Sequence, residues 1–223
     1  NPERKEKLST VINIAKWAVR QQRGDGSWDC FSPLKSNKYT VSSMGQGEGA
    51  SLLFRAYAAS GREEFKLAAF HAIDFMLRGV GDGGVTVYEN NQIFLEEYPQ
   101  TPRRSVLNGW IFSMFGLYDA ALMDEKYMGI FKQCAKTLAD NIDLYDNGYW
   151  SYYDLEKRIA SPAYHALHIA LLEVVAELSG EKKLALAAER YKLFNASFFN
   201  RTRAIVTKLW QKLTEKPDAI VIQ

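Results

Sequence analysis

Three chain segments can be laid in register: RAYAASGREEF from Arg55, GLYDAALMDEKY from Gly116 and EVVAELSGEKKL from Glu173. Each reads as a helix end, a short turn and the acidic start of another helix. The period is about 60 residues, the length of a helix pair with its connecting loop. Apolar residues at helical spacing fill Leu8 to Gln22, Ser43 to Ser60, Glu63 to Leu77, Ser105 to Met123, Lys126 to Ile142, Pro162 to Leu178, Lys182 to Phe198 and Ala204 to Leu213. Gly- and aromatic-rich loops recur between them at a similar interval, from Gly24, Gly81 and Leu144. A helix pair cannot bury its apolar face alone, so stacked pairs are expected. The expected fold is all-α, an incomplete α/α barrel or toroid of about eight helices. Its loops would form short β-hairpins on one rim, turning at Asn90-Asn91 and Asn147-Gly148. At 223 residues the chain suits a single domain, 1–223.

Composition narrows the function classes. The 28 basic residues nearly balance 26 acidic ones, which excludes a global nucleic-acid footprint, so no nucleic-acid partner is expected and any anion preference must be local. The chain has 12 Tyr and 5 Trp, a supply that saccharide clefts use, although cores use it more often. Cys30 and Cys134 stand far apart, in no metal-ligand spacing, and read as two buried free thiols. No apolar run approaches the ~20 residues that span a bilayer, and no signal-like segment precedes the first helix, so a soluble chain of unassigned compartment is expected. The chain begins with Asn1, not Met, which leaves an upstream domain open. A homodimer is also left open.

Gln22 to Trp28 fits QxxxGxW, which is similar to the repeat motif of the terpene cyclase toroids. Its expected job is structural: the Gln closes a helix end and the Trp stacks across the turn. The acidic DxDD cluster of those cyclases is absent, which argues against terpene chemistry.

Four segments carry polar groups of chemical interest. SSMGQGE, from Ser42, opens a helix. Its small residues let either a neighbouring helix or a bound polymer approach closely, with Gln46 and Glu48 as polar contacts. Glu96, Glu97 and Tyr98 lie between Phe94-Leu95 and Pro99, which should anchor and present the acidic pair. Arg103, Arg104 and Asn108 follow at the entry to an aromatic helix. The run Tyr145 to Tyr153 places Tyr149 and Tyr153 on one strand face and Trp150 and Tyr152 on the other, if it is a strand. In ASPAYHALH, Pro162 suits a first helical turn, and Tyr164 and His168 share a face. His165 and His168 have no carboxylate to complete a zinc motif, so they are assigned hydrogen-bonding roles and no metal is assigned.

Taken in order, SSMGQGE, EEYPQTPRRSVLNGWIFSMFGLYD, LYDNGYWSYYDL and YHALHI resemble the C-terminal catalytic domain of the D-glucuronyl C5-epimerases, with a matching core of about 39–200. The resemblance implies an incomplete α/α barrel that inverts carbon 5 of glucuronate to iduronate within an acidic, heparan-type polysaccharide. It implies catalytic roles for Glu97, Tyr98, Tyr153 and Tyr164. Gln46, Glu48, Arg103, Arg104, Asn108, Tyr149, His165 and His168 are the substrate-binding candidates. Inverting a carbon next to a carboxylate needs acid/base groups on both ring faces and cations to hold the developing enediolate. Such proton transfer runs on side chains alone, so no cofactor is expected. Two features depart from the family pattern: Glu156 stands where a basic residue is expected in heparan-acting members, and Ser161-Pro162-Ala163 replaces a Trp-Asp sequence. A polysaccharide lyase, a uronyl hydrolase using Glu48 and Glu97, and a non-catalytic saccharide binder are the alternatives.

Overall fold

The computed structural model describes residues 2–31 and 39–214. Its helices are α1 (Pro2–Gln21), α2 (Ser43–Ser60), α3 (Glu63–Met76), α4 (Leu107–Met123), α5 (Lys126–Asn141), α6 (Pro162–Ser179), α7 (Lys182–Ala196) and α8 (Phe198–Thr214). One antiparallel hairpin, β1 (Thr86–Glu89) with β2 (Gln92–Leu95), lies between α3 and α4. All eight apolar-spaced segments are helical. The ends differ where polar turns carry no spacing signal: α1 begins at Pro2, and Phe198 opens α8 where it was expected to close α7.

The ends that the sequence marks have physical causes. Ser42 accepts from the amide of Gly45, and Ser161 from that of Tyr164, capping α2 and α6, with Pro162 in the first turn of α6. Gly61 and Gly180 stop α2 and α6 in the left-handed conformation, at φ of 70° and 78°. The β1–β2 turn is made by Asn90 and Asn91, both at positive φ.

Helix α4 packs against α2 on one side and α6 on the other. Each of these three carries the helix that follows it: α3 on α2, α5 on α4 and α7 on α6. The α2–α4 approach depends on two glycines. A Cβ on Gly47 would lie 2.6 Å from the Ser113 Cα, and one on Gly116 would lie 2.2 Å from the Gly47 carbonyl oxygen. Gly49 faces the Trp28 ring and Gly45 the Cys30 sulfur. The small residues of SSMGQGE therefore serve helix and loop packing, which decides between the two uses the sequence allowed. The core contains Phe54, Phe65, Phe75, Trp110 and Phe131, all buried. Cys134 is buried and free; Cys30 is free and only partly covered, a correction to the expectation of two buried thiols.

The QxxxGxW segment is structural. The Gln22 amide donates to the carbonyls of Gly26 (3.0 Å) and Ala68 (2.8 Å), and the Trp28 indole N–H donates to that of Ala18 (2.8 Å). The expected second hairpin is not a ladder. Residues 145–159 make only the isolated bridges Asp146 with Ser151 and Tyr152 with Ile159, so strand alternation does not govern their side chains. Among the described residues no helix is long and apolar enough to cross a membrane.

Gly116→Ala is expected to lower unfolding free energy by about 1–3 kcal/mol, because its methyl meets backbone that cannot yield. Gly129→Ala, with nothing within 4 Å of its Cβ, should instead be neutral or stabilise the helix by up to about 1 kcal/mol. Urea unfolding of the two variants beside the parent checks the contrast.

Candidate functional site

The site is built on the turn that leads into α4. Ser105 sits at φ 42°, a conformation disfavoured for a side-chain-bearing residue, and five hydrogen bonds hold the segment around it. Its amide donates to Glu96 Oε2 at 2.8 Å and its hydroxyl donates to Glu96 Oε1. The Tyr145 hydroxyl donates to its carbonyl at 2.7 Å. On either side, the Leu155 amide donates to the Arg104 carbonyl (2.9 Å) and the Leu107 amide to the Tyr153 carbonyl (3.0 Å). Glu96 is fully buried by this arrangement. The acidic pair is thus split: Glu96 is an internal clamp, and only Glu97 faces the other expected site residues. That corrects the expectation of two presented carboxylates.

Glu97 lies on the bare backbone of Gly109, where an added Cβ would be 2.2 Å from its Oε2. It is 5% exposed, and Oε2 has no hydrogen-bond partner among the described residues. Burial pushes its carboxyl up to about 7. A Tyr98 hydrogen bond and the Arg104 charge pull it back, while Glu48 and Asp154 push it further up. A carboxyl poised near neutrality can take up and release a proton at working pH.

Around it stand the three tyrosines. Tyr98 stacks on Phe31 at 5.1 Å and receives the Arg104 guanidinium 4.7 Å from its ring centroid. Tyr153 meets Tyr164 edge to face at 5.0 Å. Its phenol is pushed well above the usual range by burial and then by Glu97, Tyr164 and Tyr98, with Arg104 opposing. Tyr164, in the first turn of α6, is 41% exposed and open to a ligand. The structure therefore brings Glu97, Tyr98, Tyr153 and Tyr164 together with Arg104. Asn108 is beside Gly109, nearly buried, and its Oδ1 has no partner among the described residues. Glu48 is exposed on α2, acts electrostatically on Glu97 and is itself pushed up by partial burial.

Other binding candidates are placed elsewhere. Arg103 turns to the hairpin, 3.6 Å over the Phe94 ring and 3.1 Å from Glu89. Gln46 is fully buried, its amide paired with the Trp28 main chain at 3.2 and 3.3 Å. Tyr149 contacts α8, its hydroxyl 3.3 Å from Thr207 and its ring under Arg203 at 3.9 Å.

His165 and His168 are fully buried and share the Ser151 hydroxyl, at 2.8 and 2.9 Å from their Nδ1 atoms. His165 Nδ1 also accepts from the Ser151 amide, so its Nε2 carries the proton donated to the Tyr191 carbonyl at 3.0 Å. Burial lowers the two imidazoles to about 4 and about 3. Both are neutral braces of the 147–153 loop, and the expectation that they touch substrate is corrected by their burial.

Sequence reasoning missed Asp154, fully buried, which accepts from Arg104 Nε at 3.0 Å and Arg158 Nε at 2.7 Å. The only signal was an acid immediately after Tyr153 with Arg158 four residues on. A groove of about 730 Å³ between α2, α4 and α6 meets this cluster only at Glu48. Its walls, including Phe54, Phe112, Phe115 and Leu122, are mainly apolar and suit a sugar acid poorly. Among the described residues no group of three His, Cys, Asp or Glu could hold a metal.

A family model described as the D-glucuronyl C5-epimerase C-terminus matches residues 24–193. The chain belongs to that family. The D-glucuronyl C5-epimerase of Caenorhabditis elegans is 28% identical over 218 residues, covering 85% of this chain and 35% of that protein. An uncharacterized protein of Methanocaldococcus jannaschii is 30% identical over 124 residues, covering 52% of this chain and 40% of its own length. This epimerase-family chain thus spans little more than a third of the relatives it matches.

The perturbed groups tie pH to stability. Glu97, raised from 4.5 to about 7, holds its proton in the folded state where the unfolded chain has lost it. Its contribution is fully present below pH 4.5 and is lost as pH rises through about 7, on the order of 3 kcal/mol. The histidines act oppositely, losing stability as pH falls from 6.5 toward about 4 and about 3. Glu97→Gln, neutral at every pH, is expected to match the parent at pH 5 and exceed it by about 1–3 kcal/mol at pH 8. Denaturant midpoints at both pH values check this; equal midpoints at pH 8 would contradict the assignment.

Proposed function

We propose that this chain carries the proton-transfer site of a polysaccharide uronate C5-epimerase, an isomerase converting D-glucuronate residues to L-iduronate. Support comes chiefly from the convergence of one near-neutral carboxyl, Glu97, with Tyr98, Tyr153, Tyr164 and the Arg104 cation. The family match and the epimerase name of the C. elegans relative favour the same activity. In the expected architecture the chain is one domain, 1–223, an incomplete α/α toroid. Helices α2, α4 and α6 would form its inner layer and α3, α5 and α7 its outer one, with the site on the rim loops before the inner helices. The α2–α4–α6 adjacency supports that arrangement.

The chemistry follows from the side chains. Glu97, ionised above about pH 7, removes the proton from carbon 5, either directly or through a tyrosine hydroxyl that passes its own proton to Glu97 as it takes the one from carbon 5. The electron pair of the broken C–H bond moves into the adjoining carboxylate, giving an enediolate whose charge Arg104 opposes. A proton then comes to carbon 5 from the other face, donated by Tyr164, the most open phenol of the group. Tyr98 and Tyr153 orient the ring or relay the proton. The new C–H bond has the opposite configuration, and the enzyme is restored by proton exchange with water.

Proton NMR of unsulfated and desulfated glucuronate oligomers, incubated with the protein in deuterated water, tests this. Deuterium at carbon 5 together with iduronate signals is the expected result, and Glu97→Gln or Tyr164→Phe should slow it at least about 100-fold. Unsaturated chain ends would indicate a lyase instead. Absence of exchange on every uronate polymer, or full activity of Glu97→Gln, would sink the reading.

A further inference from the structure

Asp154 is fully buried and has no role in the proton transfers above. Its Oδ2 accepts from Arg104 Nε at 3.0 Å, from Arg158 Nε at 2.7 Å and from Arg158 Nη2, and its Oδ1 accepts from the Arg158 amide at 3.3 Å. The two guanidiniums diverge from this one carboxylate onto different phenols. That of Arg104 lies 4.7 Å from the Tyr98 ring centroid, and that of Arg158 lies 5.5 Å from the Tyr153 ring centroid. Both arginines are largely buried, with side chains 9% and 13% exposed, so neither can trade its partner for water cheaply. Glu156 approaches the same two Nε atoms at 3.7 and 3.9 Å but is half exposed and adds only a weaker contact.

Charge balance alone would be met by any buried anion near the arginines. It would not require both cations to lie over the rings of Tyr98 and Tyr153. A guanidinium over an aromatic face is held in register by the ring, and its charge favours the phenolate form of the same side chain. The main chain adds to this: Asp154 follows Tyr153 directly, and the Tyr153 and Leu155 peptides on either side of it bond to Leu107 and Arg104. The carboxylate and the two rings are thus referenced to one rigid segment.

Resting on the epimerase reading, we propose that Asp154 is a positioning residue. It fixes Arg104 and Arg158 so that their charge faces Tyr98, Tyr153 and the enediolate formed beside Glu97. Among the described residues the charged and titratable groups around this arrangement are Glu48, Glu97, Glu156, Tyr98, Tyr153 and Tyr164; of these Glu156 also reaches both arginines, but at longer range than Asp154 and from a half-exposed position.

Two variants separate positioning from charge balance. Asp154→Asn removes the charge; Asp154→Glu keeps it and displaces it by one methylene. Arginine Nε–H signals, assigned with Arg104→Gln and Arg158→Gln, are followed by solvent exchange without substrate, with thermal unfolding as the check on folding. In Asp154→Asn both signals are expected to lose at least about tenfold of their protection. In folded Asp154→Glu, kcat is expected to fall at least about 30-fold while KM stays within about threefold. Retained protection of either arginine in Asp154→Asn, or parental kcat in Asp154→Glu, overturns the proposal. Should Asp154→Asn not fold, exchange is read in Asp154→Glu, where unchanged protection of both arginines overturns it equally. If the parent protein epimerises no uronate polymer, the functional reading fails, and the exchange measurement still decides whether Asp154 holds both arginines.

Discussion

The buried Glu96 carboxylate and its two hydrogen bonds from Ser105 organise the functional end of this molecule. An ionisable group taken out of water must be satisfied where it lies, and Ser105, held at a positive φ, satisfies it through both its amide and its hydroxyl. Removing either partner would leave a buried polar group unpaired, at a cost of about 1–3 kcal/mol. Because Glu96 turns inward, its neighbour Glu97 is turned the other way, onto the Gly109 backbone and toward the tyrosines. Because the Ser105 turn is fixed, the main-chain bonds at Arg104 and Leu107 can dock the Tyr153–Leu155 segment beside it. Three distant stretches of chain meet through that single turn.

Two opposing electrostatic situations meet around this turn. Glu97 is buried without a full set of partners, and the resulting desolvation holds its proton to near neutrality. Asp154 is buried with two guanidiniums and their hydrogen bonds, so it serves as a fixed negative anchor. The difference between the two carboxyls lies in the company each keeps: Glu97 has an oxygen without a partner among the described residues, and Asp154 has two guanidiniums. The unsatisfied group lowers stability at higher pH, a cost of the kind that sites of chemistry carry. On the far side of Tyr153, the neutral His165 and His168 with Ser151 give the 147–153 loop a rigid polar backing, the opposite of a ligand-facing role.

Much of this was legible in the chain. The eight helices followed from apolar spacing, and the first turn of α6 from Pro162, because these signals are local. Glu97, Tyr98, Tyr153 and Tyr164 were nominated through the ordered family motifs, and they do converge. What misled was polarity read as exposure. Gln46, His165 and His168 are polar residues in motif segments, yet their hydrogen bonds go to the main chain of Trp28, to Ser151 and to Tyr191, contacts that span many positions and leave no pattern in sequence. Arg103 and Arg104 are neighbours with the same charge, and only the path of the turn sends one to Phe94 and the other to Tyr98.

The sequence by itself determined the helical segments, the Asn90-Asn91 hairpin and the set of side chains from which a uronate site could be assembled. Those properties depend on spacing and on residue-by-residue backbone preference, which neighbours along the chain dictate. Only the tertiary structure decided which member of each polar pair would face the site, Glu97 over Glu96 and Arg104 over Arg103. It alone revealed Asp154 as the anion that joins two arginines. Burial and ion pairing are set by what packs against a group from elsewhere in the chain, and that environment comes into being only when α2, α4 and the 145–159 loop close around the Ser105 turn.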